Sequence, residues 1–403
     1  MAGIGFRQQG HQVTILEKSH LASEVGAAIH LAPNSSVLLE RAGLSPKEFG
    51  GTLLERMEKR TSSDECDFAQ EFAEARKGWQ AEWYLVHRVD LHSALKAAAT
   101  SRGSDGNGSP AQLLTGSAVA SVDAATATVV LEDGRTLQGD VVLGADGVHS
   151  KTRQHAAPGA RPVPSGKSCF RWLLPRAALR ADAATNTVAA QTGTMIEWAS
   201  ADRRVIMYPC SGNTLMNFAA FVPDEEVAGG AEAVGGGSWS QTADKSAMLA
   251  CFKDFAPGVQ RLLEMAPEGN LKVWRMLDMP DLGGWTNERF ALLGDAAHPF
   301  MPYLGQGGAI AIEDAASLAA LFPLGTQRSE VAERLQLYET CRKERADRIR
   351  HFTRLNGRDP SGKQGPRPSG EEAMAFLRYA ISHDEGEYSS SMLEEHLRVR
   401  SSL

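Results

Sequence analysis

The residues best suited to chemistry in this 403-residue chain lie together in RFALLGDAAHPFMPYLGQGGAIAIEDA, from Arg289 to Ala315. Phe290 to Leu293 predicts a strand, Gly294-Asp295 a turn at its C-terminal end, and the residues from Gln306 a helix. An ionised carboxylate at Asp295 makes strong charge-assisted hydrogen bonds and suits a sugar hydroxyl. Pro302 leads into Gly305, Gly307 and Gly308. Without side chains, these let backbone N–H groups at a helix start approach an anion, and the helix dipole helps. An isolated Gly-Asp pair is an ordinary turn. The full ordered series predicts a dinucleotide gripped at two points.

Four other segments carry matching patterns. Val141 to Arg153, VVLGADGVHSKTR, sets Asp146, Gly147, Ser150 and Arg153 after a strand, and His87-Arg88 precedes Asp90-Leu91. Gln12 to Lys18, QVTILEK, is a strand ending in Glu17 and Lys18, and Gly26-Ala27-x-Ile29 is followed by Pro33-Asn34. Together the five segments resemble the flavin-dependent aromatic hydroxylases, single-component monooxygenases related to salicylate hydroxylase, over most of residues 10 to 350.

The resemblance implies an α/β, Rossmann-like FAD-binding fold with an inserted, mostly antiparallel β-sheet substrate domain and C-terminal helices. The FAD-binding part would comprise residues 1–160 and 271–356, the substrate sheet 161–270, and a linker with a helical tail 357–403. Glu17, with Lys18 beside it, would take the ribose. Ala27 would lie beside the isoalloxazine, Arg88 at the flavin side chain, Asp146 in the second motif, and Asp295 at the ribityl chain.

The front of the chain departs from this pattern. A Rossmann-type flavin fold opens with a strand and G-x-G-x-x-G, roughly 20 residues before the ribose-binding acid. Counting back from Glu17 runs off the start, and Gly3, Gly5 and Gly10 lack the spacing. Ala2 to Gly10 reads as the back half of a helix with Gly10 at its C-cap. The expectation is therefore that the first strand and pyrophosphate turn are missing, through truncation or in a variant that has lost part of its cofactor grip. A folded, non-catalytic remnant is the alternative to an enzyme.

As an enzyme, the resemblance implies hydroxylation of a phenolic, salicylate-like or heteroaromatic (indole) substrate with O2, through a flavin C4a-hydroperoxide. NADH or NADPH would reduce the FAD, bound transiently and without a second nucleotide fold. The protein supplies orientation, electrostatics and exclusion of water. Amides of Gly305 to Gly308 would face negative charge on the reduced flavin. His30 could deprotonate a phenol, although a lone histidine is more often structural. Tyr208 could hold a substrate oxygen and Arg171 a carboxylate or phenolate. His298 reads as packing; Met195, Trp198, Met207 and Phe221 read as pocket wall or core.

Composition sets the frame. The length allows two packed lobes, and no apolar run approaches the ~18 residues of a membrane helix. A net charge of −7 argues against a nucleic-acid partner. Five scattered cysteines without metal spacing suit a reducing, cytoplasmic setting. Ser101 to Pro110, Gly229 to Ser240 and Gly357 to Gly370 read as loops or linker, and Asp133-Gly134 as a hairpin turn. Strands are expected at Ser168–Leu173, Thr187–Trp198, Arg204–Pro209 and Leu215–Phe221. Val331 to Asn356 reads as a solvated packing helix with charges at i,i+4.

Overall fold

The structure, a computed structural model, describes residues 1–20, 27–102, 108–227, 243–358 and 368–402. Gly26, the 229–240 loop and most of the expected linker lie outside the described residues.

Helix α1 (Ala2–Gln8) ends just before Gly10, as its sequence implies. The parallel pairing expected of a nucleotide fold is short. Strand β1 (Thr14–Leu16) runs beside β7 (Gln112–Leu114), and β11 (Val142–Gly144) beside β18 (Phe290–Leu292), whose other edge pairs with β17 (Thr286–Asn287). These pairs fall in separate sheets, and no described strand joins them. A small antiparallel sheet has β2 (Ala28–Leu31) at one edge, β6 (Tyr84–His87) in the centre and β3 (Thr52–Leu53) beyond. Helices α2 (Pro33–Arg41) and α3 (Arg88–Thr100) follow β2 and β6. The Asp133-Gly134 hairpin joins β9 (Thr128–Leu131) to β10 (Thr136–Gln138), with β8 (Val119–Asp123) alongside.

The large sheet runs in the order β16 (Lys272–Asp278), β12 (Val163–Pro175), β15 (Leu215–Pro223), β14 (Arg204–Cys210), β13 (Thr194–Ala199), β4 (Arg56–Thr61), β5 (Cys66–Glu71). Period-two alternation decides its faces. Phe170, Trp172, Trp198, Met207 and Phe218 pack in one core with α6 (Lys245–Cys251) and α7 (Pro257–Glu264). The registers put Arg171, Ile206, Tyr208, Asn217 and Ala219 on the other face. The sheet is wider than the expected 161–270 segment, because residues 56–71 and 272–278 supply three of its strands. The first part of the expected Thr187–Trp198 strand is instead helical. It lies in α5 (Asn186–Ala190), which follows α4 (Arg176–Ala181), and the Arg176 guanidinium bonds the α5 carbonyls of Ala189 and Ala190.

Helix α8 (Gly307–Leu321) is apolar along most of its length, yet Glu313 and Asp314 are fully buried within it. Their partners correct the reading of α9 (Val331–Asn356) as a solvated helix. Arg342 reaches Asp314 and Glu313, each at 2.9 Å, and also Glu385, the first residue of α11 (Glu385–Ser401). Arg345 bonds both oxygens of Glu313 and the Ala380 carbonyl of α10 (Gly370–Ile381). Burial alone would raise both carboxyls. Arg345 and Arg342 beside Glu313, and His298 and Arg342 beside Asp314, hold each down at about 2. The stabilisation from ionising this pair is complete above the ordinary carboxyl range and lost as pH falls toward 2.

Asp314→Ala leaves Arg342 buried with less compensation, so a loss of roughly 3–5 kcal/mol is expected in chemical denaturation. Removing the exposed Asp133–Arg135 pair should leave the denaturation midpoint unchanged in the same measurement.

Candidate active site

Strand β18 delivers the chain to Gly294, and Asp295 stands at its C-terminal end. The turn is held from behind. Asp314 Oδ2 accepts from the Gly294 N–H at 2.8 Å and lies 2.6 Å from His298 Nε2. Arg153, buried in the second motif, donates to the carbonyls of Asp295 and Ala296 at 3.0 and 2.7 Å. The two motif segments therefore form one unit. Asp146 is fastened within its own loop: its oxygens accept from the hydroxyls of Ser150 and Thr152 and the amides of Lys151 and Thr152. Its carboxylate shapes its own loop.

Asp295 differs in that its carboxylate has no hydrogen-bond donor among the described residues. It is exposed to solvent yet has protein packed around it. Burial raises its pKa, against the opposing pull of His298, Arg88 and Arg153. Arg88, exposed at the start of α3, gives its backbone N–H to Ala27 O at 2.8 Å. Glu17 ends β1 and accepts from the Ser19 amide, while Lys18 beside it is exposed. Neither makes a hydrogen bond or ion pair with the other site residues described.

Pro302 opens a short turn closed by Gly305 at φ 64°, a left-handed conformation that favours glycine. A Cβ on Gly305 would lie 3.0 Å from the His30 ring, and one on Gly308 would come within 2.5 Å of Ile29. Strand β2 thus lies directly on the start of α8, whose first N–H groups have no acceptor within the helix.

Three side chains meet β2 from the large sheet. The Ala28 carbonyl accepts from Arg171 Nη2 at 3.0 Å and from the Tyr208 hydroxyl at 3.1 Å; its N–H donates to Asn217 Oδ1 at 3.0 Å. The His30 ring packs edge-on against Tyr208, with centroids 4.8 Å apart. Arg171, Tyr208 and His30, selected from sequence as catalytic candidates, therefore converge on one short stretch beside Gly305 and Gly308. Burial, then the charge of Arg171, lowers the His30 pKa to about 4, so the ring is neutral at physiological pH. Burial pushes the Tyr208 phenol up to about 12, keeping it a donor. Sequence reasoning missed Asn217. The available signal was a single amide in the otherwise apolar run LMNFAAF.

Residues 263–353 match the family model described as FAD binding domain. Hispidin-3-hydroxylase of Neonothopanus nambi is 34% identical over 359 residues, covering 86% of this chain and 83% of that protein. The chain is an FAD-dependent monooxygenase of the aromatic hydroxylase family. 6-Hydroxynicotinate 3-monooxygenase of Bordetella bronchiseptica is 30% identical to this monooxygenase over 356 residues, 86% of this chain and 85% of the relative. CtdE, solved in complex with FAD and a substrate, shares the fold with a TM-score of 0.81 at 19% identity, covering 99% and 96% of the two chains. A salicylate hydroxylase substrate complex does so at 0.74 and 21%, covering 97% and 94%.

The residues present in the monooxygenase fit the ring and ribityl end of FAD. They offer an unshared carboxylate at Asp295, a helix start stripped of side chains, and the cations Arg88 and Arg153 within electrostatic reach.

Asp295→Asn removes a carboxyl whose ionised form the fold disfavours, so the FAD-free protein should melt no lower than wild type at neutral pH. Its stabilisation by added FAD should nevertheless shrink sharply, as read from melts with and without FAD. Gly305→Ala should weaken FAD binding by roughly tenfold or more through backbone strain and contact with His30.

Proposed function

We propose that the monooxygenase hydroxylates a ring that already carries an oxygen substituent, phenolic or heteroaromatic, consuming O2 and NADH or NADPH. The observation that carries this reading is the junction at Ala28. One peptide is gripped by Arg171 and Tyr208 of the large sheet, while its neighbours Ile29 and His30 pack on the glycines of α8. Cofactor segment and substrate sheet meet there. The names of the two relatives, a hispidin 3-hydroxylase and a 6-hydroxynicotinate 3-monooxygenase, support ring hydroxylation.

When bound, FAD accepts hydride from the nicotinamide and activates oxygen; the protein orients and shields. In this reading Asp295 accepts from a ribityl hydroxyl, and Glu17, with Lys18 nearby, serves the adenosine ribose. Arg88 adds positive charge along the cofactor, Ala27 flanks the ring, and Pro302 shapes the loop before the glycines. The Gly305 N–H is taken by Pro302 O, so the amides of Gly307 and Gly308 at the start of α8 would face the ring edge where negative charge gathers, a preorganised arrangement that costs no reorganisation during reaction. Arg171 stabilises an anionic substrate oxygen and thereby enriches the ring with electrons for attack. Tyr208 holds its phenolic proton and fixes the wall. His30 stays neutral, so it accepts or donates a hydrogen bond at the substrate edge without adding a second cation. With a pKa near 4 it is a weak base, so the charge of Arg171 favours the phenolate while the phenolic proton passes to solvent.

The test is a screen of hydroxylated aromatics for stimulated NAD(P)H oxidation, followed by Arg171→Met. Loss of one charge-assisted hydrogen bond should raise KM for the stimulating aromatic by roughly tenfold or more with flavin content retained. Stimulation that survives unchanged in the variant would refute the role of Arg171. Absence of any aromatic-dependent incorporation of labelled oxygen would refute the function.

A further inference from the structure

Strand β2 is an edge strand among the described residues, paired there with β6 alone. The outward N–H and C=O of an edge residue need partners when buried. At Ala28, 4% exposed, both are met by side chains where a neighbouring strand would otherwise supply them. Arg171 and Tyr208 share the carbonyl, so either can be lost with one acceptor bond remaining. The N–H has Asn217 alone among the described residues. Asn217 is fully buried on the interior strand β15, and its Nδ2 has no partner among the described residues. Its orientation is settled, because Oδ1 must be the atom that faces an N–H donor.

An amide in this place carries a cost. A buried N–H group without an acceptor destabilises the fold, and so does the unpaired Nδ2 that Asn217 brings with it. An apolar residue on β15 would have packed without that second penalty, yet would have left the Ala28 N–H unmet. What the amide secures is the lateral position of β2, on which Ile29 and His30 rest against the first turn of α8 with no spare room.

We propose that Asn217 is a positioning residue of the hydroxylation site. Acting through the Ala28 peptide, it sets how close β2 and His30 stand to the amide end of α8, and so how well oxygen delivery is matched to the substrate ring. This rests on the reading that the 27–30 stretch flanks the flavin ring. The role belongs to Oδ1, so a residue that keeps an acceptor there and drops the donor should serve.

The experiment compares wild type with Asn217→Ala, Asn217→Asp and Met216→Ala, the last a control on the opposite, core-facing side of β15. In the FAD-free protein, hydrogen exchange of the peptide spanning 27–31 should speed up by roughly tenfold in Asn217→Ala, as expected for losing one buried hydrogen bond. It should stay near wild type in Asn217→Asp, whose carboxylate can accept from the same N–H beside the Arg171 charge. In the loaded enzyme, Asn217→Ala should release several times more hydrogen peroxide per NAD(P)H with little change in KM for the aromatic, while Met216→Ala lowers the melting temperature without uncoupling. The proposal is overturned if Asn217→Ala exchanges and couples like wild type, if Asn217→Asp is as impaired as Asn217→Ala, or if Met216→Ala uncouples equally. Wild type that binds FAD but shows no aromatic-dependent turnover would instead defeat the functional reading, and the exchange result would still judge the clamp.

Discussion

The buried pairing of Glu313 and Asp314 with Arg342 and Arg345 is the constraint from which the site's geometry follows. Four charges in an apolar interior are costly unless each is matched and hydrogen-bonded. Here each is: Asp314 takes the Gly294 amide, His298 and Arg342; Glu313 takes Asn34, Arg342 and Arg345. The network joins the start of α2, the Gly294 turn, α9 and the first residue of α11 to adjacent positions on one helix. Few arrangements of those elements satisfy every partner at once. Such a network gives position more than stability. It aims the start of α8 and the carboxylate of Asp295 in a fixed relation to each other.

From that frame the site is built by two grips on short segments of backbone. Arg153 and Asp314 hold the Gly294-Asp295 turn by its backbone, leaving the Asp295 side chain unspent. Arg171, Tyr208 and Asn217 hold Ala28 by its backbone, leaving β2 pressed against the glycines. In both cases charged or polar side chains fasten peptide groups, and that is how irregular backbone is kept in place when no neighbouring strand is available. The electrostatics agree with this division. Asp314 is held ionised and Tyr208 protonated, while Asp295 sits in a setting that disfavours its charge.

Much of this was legible in the residues. The order of Gly-Asp, Gly-x-Gly-Gly and helix predicted the strand, turn and helix found there, and alternation in Arg204 to Cys210 separated the core-facing Val205 and Met207 from Ile206 and Tyr208. What sequence could not supply was long-range pairing. Strand β13 lies parallel to β4, about 140 residues away in the chain, and no local pattern marks that partnership. The arginines of α9 look like a solvated face because their partners, one Glu-Asp step in an apolar helix and one glutamate in the tail, are far off in sequence. The bonds of Asp146 to its own loop were not legible either, because a carboxylate in a loop motif has the same spelling whatever it meets. Asn217 was passed over because a single polar residue in a strand gains meaning only when the strand edge it reaches is known.

The most direct test is a crystal structure of the chain with FAD and an aromatic that stimulates NAD(P)H oxidation. The account predicts the ribityl chain within hydrogen-bond distance of the Asp295 carboxylate, the flavin ring between the 27–30 stretch and the first turn of α8, and a substrate oxygen toward Arg171. A ring seated elsewhere, or a ribityl chain that bypasses Asp295, would contradict it.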